Sequence, residues 1–138
     1  MGGVGVPKSR LKQFGFRVKR LYGPALLKKI GNLNRQRFER RPGLYTLLLR
    51  LPPNTKILAH SHQDDRDAFV LSGDWYFGYG REFDEAALKE MPAGSFYTEP
   101  PGVEHFGQTK DQETIIEITG YGPTSTTYVD PKNDATKK

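Results

Sequence analysis

From Gly43 onward, short apolar segments alternate with turn residues, and no other feature of the chain constrains the fold as strongly. Apolar side chains that recur at every second position over about four to eight residues predict half-buried β-strands. The 15 glycines and 10 prolines among 138 residues agree with a chain of many turns. The predicted strands are residues 44–51, 57–62, 67–71, 75–79, 95–99, 105–109, 113–119 and 126–129.

Strands at this spacing predict an all-β domain, a sandwich or a barrel, over residues 43–130. A chain of this length is expected to form one domain. Within it, Asp84 is placed to cap one short helix that runs through Lys89. The polar tail, residues 131–138, is expected to fray.

Residues 1–42 form a basic N-terminal extension. They carry twelve Lys and Arg residues against the single acid Glu39, a balance of +11, whereas the remaining residues carry −6. Alternating Phe14, Phe16 and Val18 predict a short strand, and residues 24–31 predict a short helical turn. We expect the extension to pack on the domain or on a partner subunit. Basic residues interleaved with aromatic ones also suit a polyanion, but we do not expect nucleic acid as a partner.

Three absences narrow the functional classes. The chain has no cysteine, which excludes disulfides and thiolate metal sites, so that any metal must be held by imidazole and oxygen ligands. It has no run of about 18 apolar residues, and its N-terminus lacks the apolar stretch of a secretory signal. We therefore expect a cytoplasmic protein that does not associate with a membrane.

The segment His60-Ser61-His62 lies at the end of an apolar strand. Side chains two positions apart on a strand share a face and lie about 6–7 Å apart along it. Two imidazoles so placed can converge on one ion at about 2.0–2.1 Å. Such a pair alone is weak evidence for a metal site, because many pairs of this kind lie on the surface or are partly buried and bind no metal.

A second segment carries the third histidine and a family resemblance. Two motifs of the cupin superfamily read approximately G-x5-H-x-H-x3-4-E-x6-G and G-x5-P-x-G-x2-H-x3-N. All three histidines of the chain fall on the histidine positions of these motifs. The sequence is therefore similar to small single-domain cupins of the ChrR-like group over about residues 43–130. The matched residues are His60, His62 and Gly73 in the first motif and Gly94, Pro100, Gly102 and His105 in the second; Thr109 replaces the final Asn.

The resemblance implies a jelly-roll β-barrel or sandwich that holds one divalent transition metal, Fe, Zn, Mn, Ni or Cu, on His60, His62 and His105. It also implies a metal-dependent enzyme, dioxygenase-type with Fe and a lyase, hydrolase or isomerase with Zn, Mn or Ni. Neutral ligands leave the charge of the ion uncancelled, so we expect a small anionic organic substrate. The alternative is a non-catalytic ligand-binding or sensor cupin. Many cupins dimerise, and a homodimer is expected here on that ground.

The chain departs from the first motif at the position of its Glu ligand, which holds Arg66. A guanidinium has no acceptor atom and cannot bind a metal. We predict that Arg66 turns outward and leaves a three-histidine site. Two alternatives remain: a bulge brings Asp67 to the metal, or Arg66 stays in the pocket, pairs with an acid and contacts an anionic substrate. In the last arrangement Arg66 is a candidate catalytic residue.

Three glutamates have open roles. Glu117, in an apolar strand, is expected to face solvent, although a buried Glu117 would be a candidate catalytic base, a fourth ligand or the partner of Arg66. Glu99 and Glu104 flank Pro100 and Pro101, and we expect both to be solvated in a loop rather than to bind a metal.

Overall fold

The computed structural model describes residues 39–134, which contain nine strands and two short 3-10 helices. The predicted strand around Phe16 and the helical turn at residues 24–31 lie outside the described residues, as does the end of the tail. The strands are β1 Gly43–Leu51, β2 Lys56–Ser61, β3 Arg66–Ser72, β4 Asp74–Tyr79, β5 Lys89–Pro92, β6 Phe96–Glu99, β7 His105–Gln108, β8 Thr114–Gly122 and β9 Thr127–Tyr128.

The strands form two antiparallel sheets, which confirms the prediction of an all-β domain, a sandwich or a barrel, and shows a sandwich. The first sheet has the order β1-β8-β3-β6 and the second the order β5-β4-β7-β2-β9. Consecutive strands therefore change sheets repeatedly, and the apolar faces of both sheets contribute to one core. The core consists of Leu51, Ala68, Val70, Trp75, Phe77, Tyr97, Ile116 and Ile118.

Residues 80–93 differ from the sequence prediction. The helix is shorter than expected, a 3-10 helix at Glu85–Ala87, and Asp84 does cap it by accepting a hydrogen bond of 3.0 Å from the backbone N–H of Ala86. A strand, β5, then pairs with the edge of β4. Its sequence Lys-Glu-Met-Pro shows no apolar alternation, because an edge strand buries little surface and tolerates charge and proline.

Strand register gives the first sheet a polar end. The inward-facing residues lie in rows across its four strands, so that a residue has its neighbours directly opposite on the adjacent strands. The apolar row is Leu47, Ile118, Ala68 and Tyr97. The next row, two residues along each strand, is Tyr45, Gly120, Arg66 and Glu99.

The second sheet places histidines opposite this polar row. His60 on β2 pairs directly with His105 on β7, and Tyr79 and Tyr128 lie beside them in register. Gly102 turns the chain before β7 with a φ of +71°, a conformation in which glycine is favoured, and its N–H donates to the carbonyl of His62 at 2.8 Å. This bond ties the loop after β2 to the loop before β7. None of the helices in the described range is long and apolar enough to span a membrane.

Candidate metal centre

Three imidazoles meet between the two sheets. The ring centroids of His60 and His105 are 4.4 Å apart, those of His60 and His62 4.9 Å, and those of His62 and His105 5.1 Å. One ligand nitrogen from each residue lies within 4.8 Å of the other two, and all three side chains are buried. The histidines that the sequence places in separate segments are thus brought together at one point.

Backbone carbonyls set the orientation of each ring. The Nδ1 atom of His60 lies 2.7 Å from the carbonyl of Leu58, and that of His105 lies 3.0 Å from the carbonyl of Val103. The Nδ1 atom of His62 lies 2.7 Å from the carbonyl of Ser125. A carbonyl oxygen only accepts, so Nδ1 of His60 and Nδ1 of His105 carry the proton and donate it. Their Nε2 atoms are then acceptors, the form that binds a metal. Nδ1 of His62 also lies 3.1 Å from Nη1 of Arg66, which only donates, so the contacts of His62 are compatible with either tautomer.

Burial keeps the imidazoles neutral. It lowers the pKa of His60 and that of His105 from 6.5 to about 4, and for His60 the charge of His105 adds to the effect. Burial also takes the pKa of His62 far below its ordinary range, and the Arg66 guanidinium acts in the same direction. Neutral rings with free Nε2 lone pairs are competent to bind a metal, whereas protonated rings are not.

We expect metal-free protein to lose stability as the pH falls from about 6.5 towards 4. In this window the unfolded chain binds protons at His60 and His105 that the folded chain does not, so each ring lowers the free energy of unfolding by up to ~1.4 kcal/mol per pH unit. Burial raises the pKa of Glu99, whose titration therefore acts in the opposite direction and offsets part of this loss. Urea unfolding of chelator-treated protein at several pH values measures the slope, which should diminish in His105→Gln. A free energy of unfolding that stays constant from pH 6.5 to 4.5 would contradict the expectation.

Arg66 is buried at the site, which makes the prediction that it turns outward wrong. Arg66 is 6% exposed and Glu99 is 4% exposed. Nε of Arg66 lies 2.8 Å from Oε2 of Glu99. The expectation that Glu99 is solvated in a loop is wrong for the same reason, because Glu99 belongs to β6 and pairs directly with Arg66 on β3. Each charge makes burial of the other tolerable.

Asp67 does not reach the site, so the alternative that brings it to the metal is also wrong. Arg66 faces inward in regular register, Asp67 is exposed, and the register shift in β3 falls later, between Val70 and Ser72. The structure therefore confirms one part of the remaining alternative: Arg66 is in the interior and is paired with an acid. The contact of Arg66 with an anionic substrate stays a prediction.

Asp64 anchors the loop after His62. The hydroxyl of Tyr45 and that of Thr124, at 2.6 Å, both donate to the buried carboxylate of Asp64. Burial and the bond to Asp64 raise the pKa of Tyr45 to about 12, so the phenol stays protonated and remains a donor. Gly120 leaves room for this cluster, since a Cβ there would meet the Tyr45 hydroxyl and the Asp64 carboxylate. The cluster holds His62 beside the segment that supplies the Ser125 carbonyl.

Glu117 and Glu104 lie apart from the three histidines. Glu117 is on β8 between the buried Ile116 and Ile118, so strand alternation directs it to the outer face of the first sheet. The catalytic role considered for Glu117 is therefore not retained. Glu104 is partly exposed and forms an ion pair of 2.8 Å with Arg81.

Sequence reasoning missed Glu99 as a residue of the site. Its signal was strand alternation: Tyr97 and Glu99 share a face, and Tyr97 is large and apolar enough to belong to the core. Glu99 is the last residue of the predicted strand 95–99, but its place beside Pro100 and Pro101 led to the expectation that it is solvated.

The residues present fit a metal ion. The Nε2 atoms of His62 and His105 are buried without a hydrogen-bond partner. Buried polar atoms almost always have a partner, and such exceptions require an explanation. An ion shared by the three histidines would provide one, and the nitrogen-only set suits a divalent transition metal.

Comparison with known families decides where the chain belongs. The family profile described as the ChrR cupin-like domain matches residues 32–125, more than half of the sequence. The chain belongs to the ChrR cupin-like family. This confirms the resemblance seen in the two sequence motifs. No curated protein matches the chain.

Solved structures share the fold at low sequence identity. The polyketide cyclase RemF from Streptomyces resistomycificus is 18% identical with a TM-score of 0.57, over 70% of this cupin and 68% of RemF. The DMSP lyase DddQ from Ruegeria pomeroyi is 18% identical with a TM-score of 0.51, over 59% and 40% of the two chains. Salicylate 1,2-dioxygenase from Pseudoaminobacter salicylatoxidans is 15% identical with a TM-score of 0.52, over 62% and 24%. The cupin thus spans less than half of the lyase and of the dioxygenase. At these identities the likeness extends to the fold alone.

Proposed function

We propose that this cupin is a metal-dependent enzyme that acts on a small, anionic organic substrate. In this proposal His60, His62 and His105 hold one divalent transition metal. The observation that carries the proposal is the set of three buried imidazoles whose Nδ1 atoms all lie within 3.0 Å of backbone carbonyls. This arrangement brings three neutral imidazoles together at one point before an ion binds.

The ion would supply either O2 chemistry, as Fe, or Lewis-acid chemistry, as Zn, Mn or Ni. Three histidine ligands leave coordination positions for a substrate. Solved proteins with this fold include a cyclase, a lyase and a dioxygenase, which supports an enzyme without choosing the reaction.

Charge favours an anionic substrate. The ligating imidazoles are neutral, and the charge of Arg66 is matched by that of Glu99. The double charge of the ion is therefore not cancelled by the residues around it. An anion that enters the site meets this charge in a medium of low dielectric, where the attraction is stronger than in water. In this proposal Arg66 is a site residue that matches the negative charge of Glu99, so that the charge of the ion remains to attract the anionic group of the substrate.

The test begins with the metal and continues with matched ligands. Elemental analysis of protein purified without added metal identifies the ion, and chelated protein is then reloaded with that ion. Calorimetric titration compares salicylate with salicylamide and benzoate with benzamide, pairs that differ mainly in charge. We expect each carboxylate to bind at least about 10-fold more tightly than its amide, a difference of ~1.4 kcal/mol.

Two outcomes would count against the proposal. Protein that retains no divalent metal and binds none on titration would remove the metal centre. Equal affinity for carboxylates and amides in metal-loaded protein would remove the anionic substrate. Gln63→Ala is a matched control, because Gln63 is exposed next to His62 and its loss should change neither affinity.

A further inference from the structure

We infer that Glu99 supplies a fourth protein ligand to the metal, from β6, and that Arg66 positions its carboxylate there. The inference rests on the proposed metal site and extends it. The carboxylate position of the cupin motif lies on β3 and is occupied here by Arg66. Glu99 lies directly opposite Arg66 on the neighbouring strand β6. A carboxylate is therefore still present at this place, but it comes from β6 and not from β3.

Distances support a shared ion. Oε2 of Glu99 lies 3.5 Å from Nε2 of His62, and Oε1 lies 3.7 Å from Nε2 of His105. Ligands that bind one ion tetrahedrally at about 2.1 Å are about 3.4 Å apart. The separations between the carboxylate and the imidazoles therefore resemble those between ligands of a common metal, and they exceed ordinary hydrogen bonds.

The polar atoms around Glu99 also favour a cation. Nδ1 of His105 donates to the carbonyl of Val103, so its Nε2 presents a lone pair to the carboxylate. A lone pair and an anion that face one another without a proton between them repel. The buried atoms without a hydrogen-bond partner include Oε2 of Glu99 and Nε2 of His62 and of His105. A divalent ion among these three atoms would satisfy all of them at once.

Arg66 acts through Glu99 and is a positioning residue. Its Nε lies 2.8 Å from Oε2 of Glu99, and a carboxylate oxygen has two lone pairs, so it can contact Arg66 and still bind an ion. The guanidinium also lies 3.1 Å from Nδ1 of His62. Arg66 thus holds the carboxylate beside His62 and cannot itself bind the ion.

The test compares full-length variants that differ by one carboxylate. Arg66→Gln/Glu99→Gln removes both buried charges and leaves neither unpaired, so folding is preserved. Arg66→Glu/Glu99→Gln returns a carboxylate to the β3 position. Chelator competition gives the Kd for Zn2+. We expect the double glutamine variant to bind about 10–100-fold more weakly than wild type, and Arg66→Glu/Glu99→Gln to recover to within about 10-fold of it.

One further comparison of affinity and one structural measurement complete the test. Arg66→Gln, which retains Glu99, should bind Zn2+ within about 10-fold of wild type, whereas Arg66→Lys should match it. A crystal structure of the Zn2+-loaded protein should place a Glu99 oxygen about 2.0–2.2 Å from the ion. Glu104→Gln is the control, because Glu104 pairs with the exposed Arg81.

The outcomes separate the two proposals. Wild-type protein that binds Zn2+ while the double glutamine variant binds it equally well would overturn the ligand role of Glu99 and leave the three-histidine site intact. An ion in the crystal structure held by the histidines with Glu99 beyond ligand distance would do the same. Wild-type protein that binds no divalent metal would overturn the proposed function itself.

Discussion

His105→Ala should weaken binding of divalent metal by at least about 100-fold, more than is typical for the loss of a residue that only orients a ligand. His105 is 2% exposed, and its ring nitrogen is one of the buried atoms without a hydrogen-bond partner. Its loss leaves two imidazoles and opens the centre of the site. At a metal concentration of 100 times the wild-type Kd, metal stabilises wild-type protein by ~2.7 kcal/mol and such a variant by only ~0.4 kcal/mol. Thermal unfolding with and without metal measures this difference, together with calorimetric Kd values.

The matched comparison separates ligation from packing. His105→Gln keeps more of the side-chain volume and should retain the fold, while metal affinity should still fall. Gln63→Ala should behave as wild type, since Gln63 is exposed on the loop beside His62. If metal stabilised His105→Ala and wild-type protein equally, the three-histidine site would be ruled out.

The histidine site could be predicted because its signals are local. His60 and His62 share a strand face, His105 lies in a motif with fixed spacing, and the chain has no other histidine. The strands were also predictable where apolar alternation is strong, as in β1 and β8, and not where the sequence is polar, as in β5.

The burial of Arg66 could not be predicted from local sequence signals. Whether a guanidinium is buried depends on a partner, and its partner Glu99 is 33 positions away on a strand whose register follows only from the assembled sheet. Glu99 itself was placed at the end of the predicted strand 95–99 but was expected to be solvated, since Pro100 and Pro101 follow it. The pairing of β3 with β6 in the assembled sheet therefore determines that Arg66 and Glu99 are buried, which local sequence patterns did not predict.

The Arg66–Glu99 pair provides the second large effect, on stability rather than affinity. Glu99→Ala should lower the free energy of unfolding of metal-free protein by about 3–5 kcal/mol, because it leaves the guanidinium of Arg66 buried without a counter-charge. Arg66→Met/Glu99→Met, which removes both charges and fills the space with apolar atoms, should be close to neutral or stabilising. Urea unfolding of chelated protein measures both.

Two exposed pairs of the same residue types serve as internal controls. Arg50 and Glu113 are 2.7 Å apart, and Arg81 and Glu104 are 2.8 Å apart, with side chains open to solvent in both pairs. Water screens exposed charges, so Glu113→Ala and Glu104→Ala should each change stability by about 0–1 kcal/mol. If Glu99→Ala has an effect no larger than these two, the buried pair contributes no more than a surface pair, and the low-dielectric environment assigned to the site would be wrong. A large loss in Glu99→Ala that the double Met variant abolishes would instead show that the penalty comes from the unpaired charge and not from lost packing.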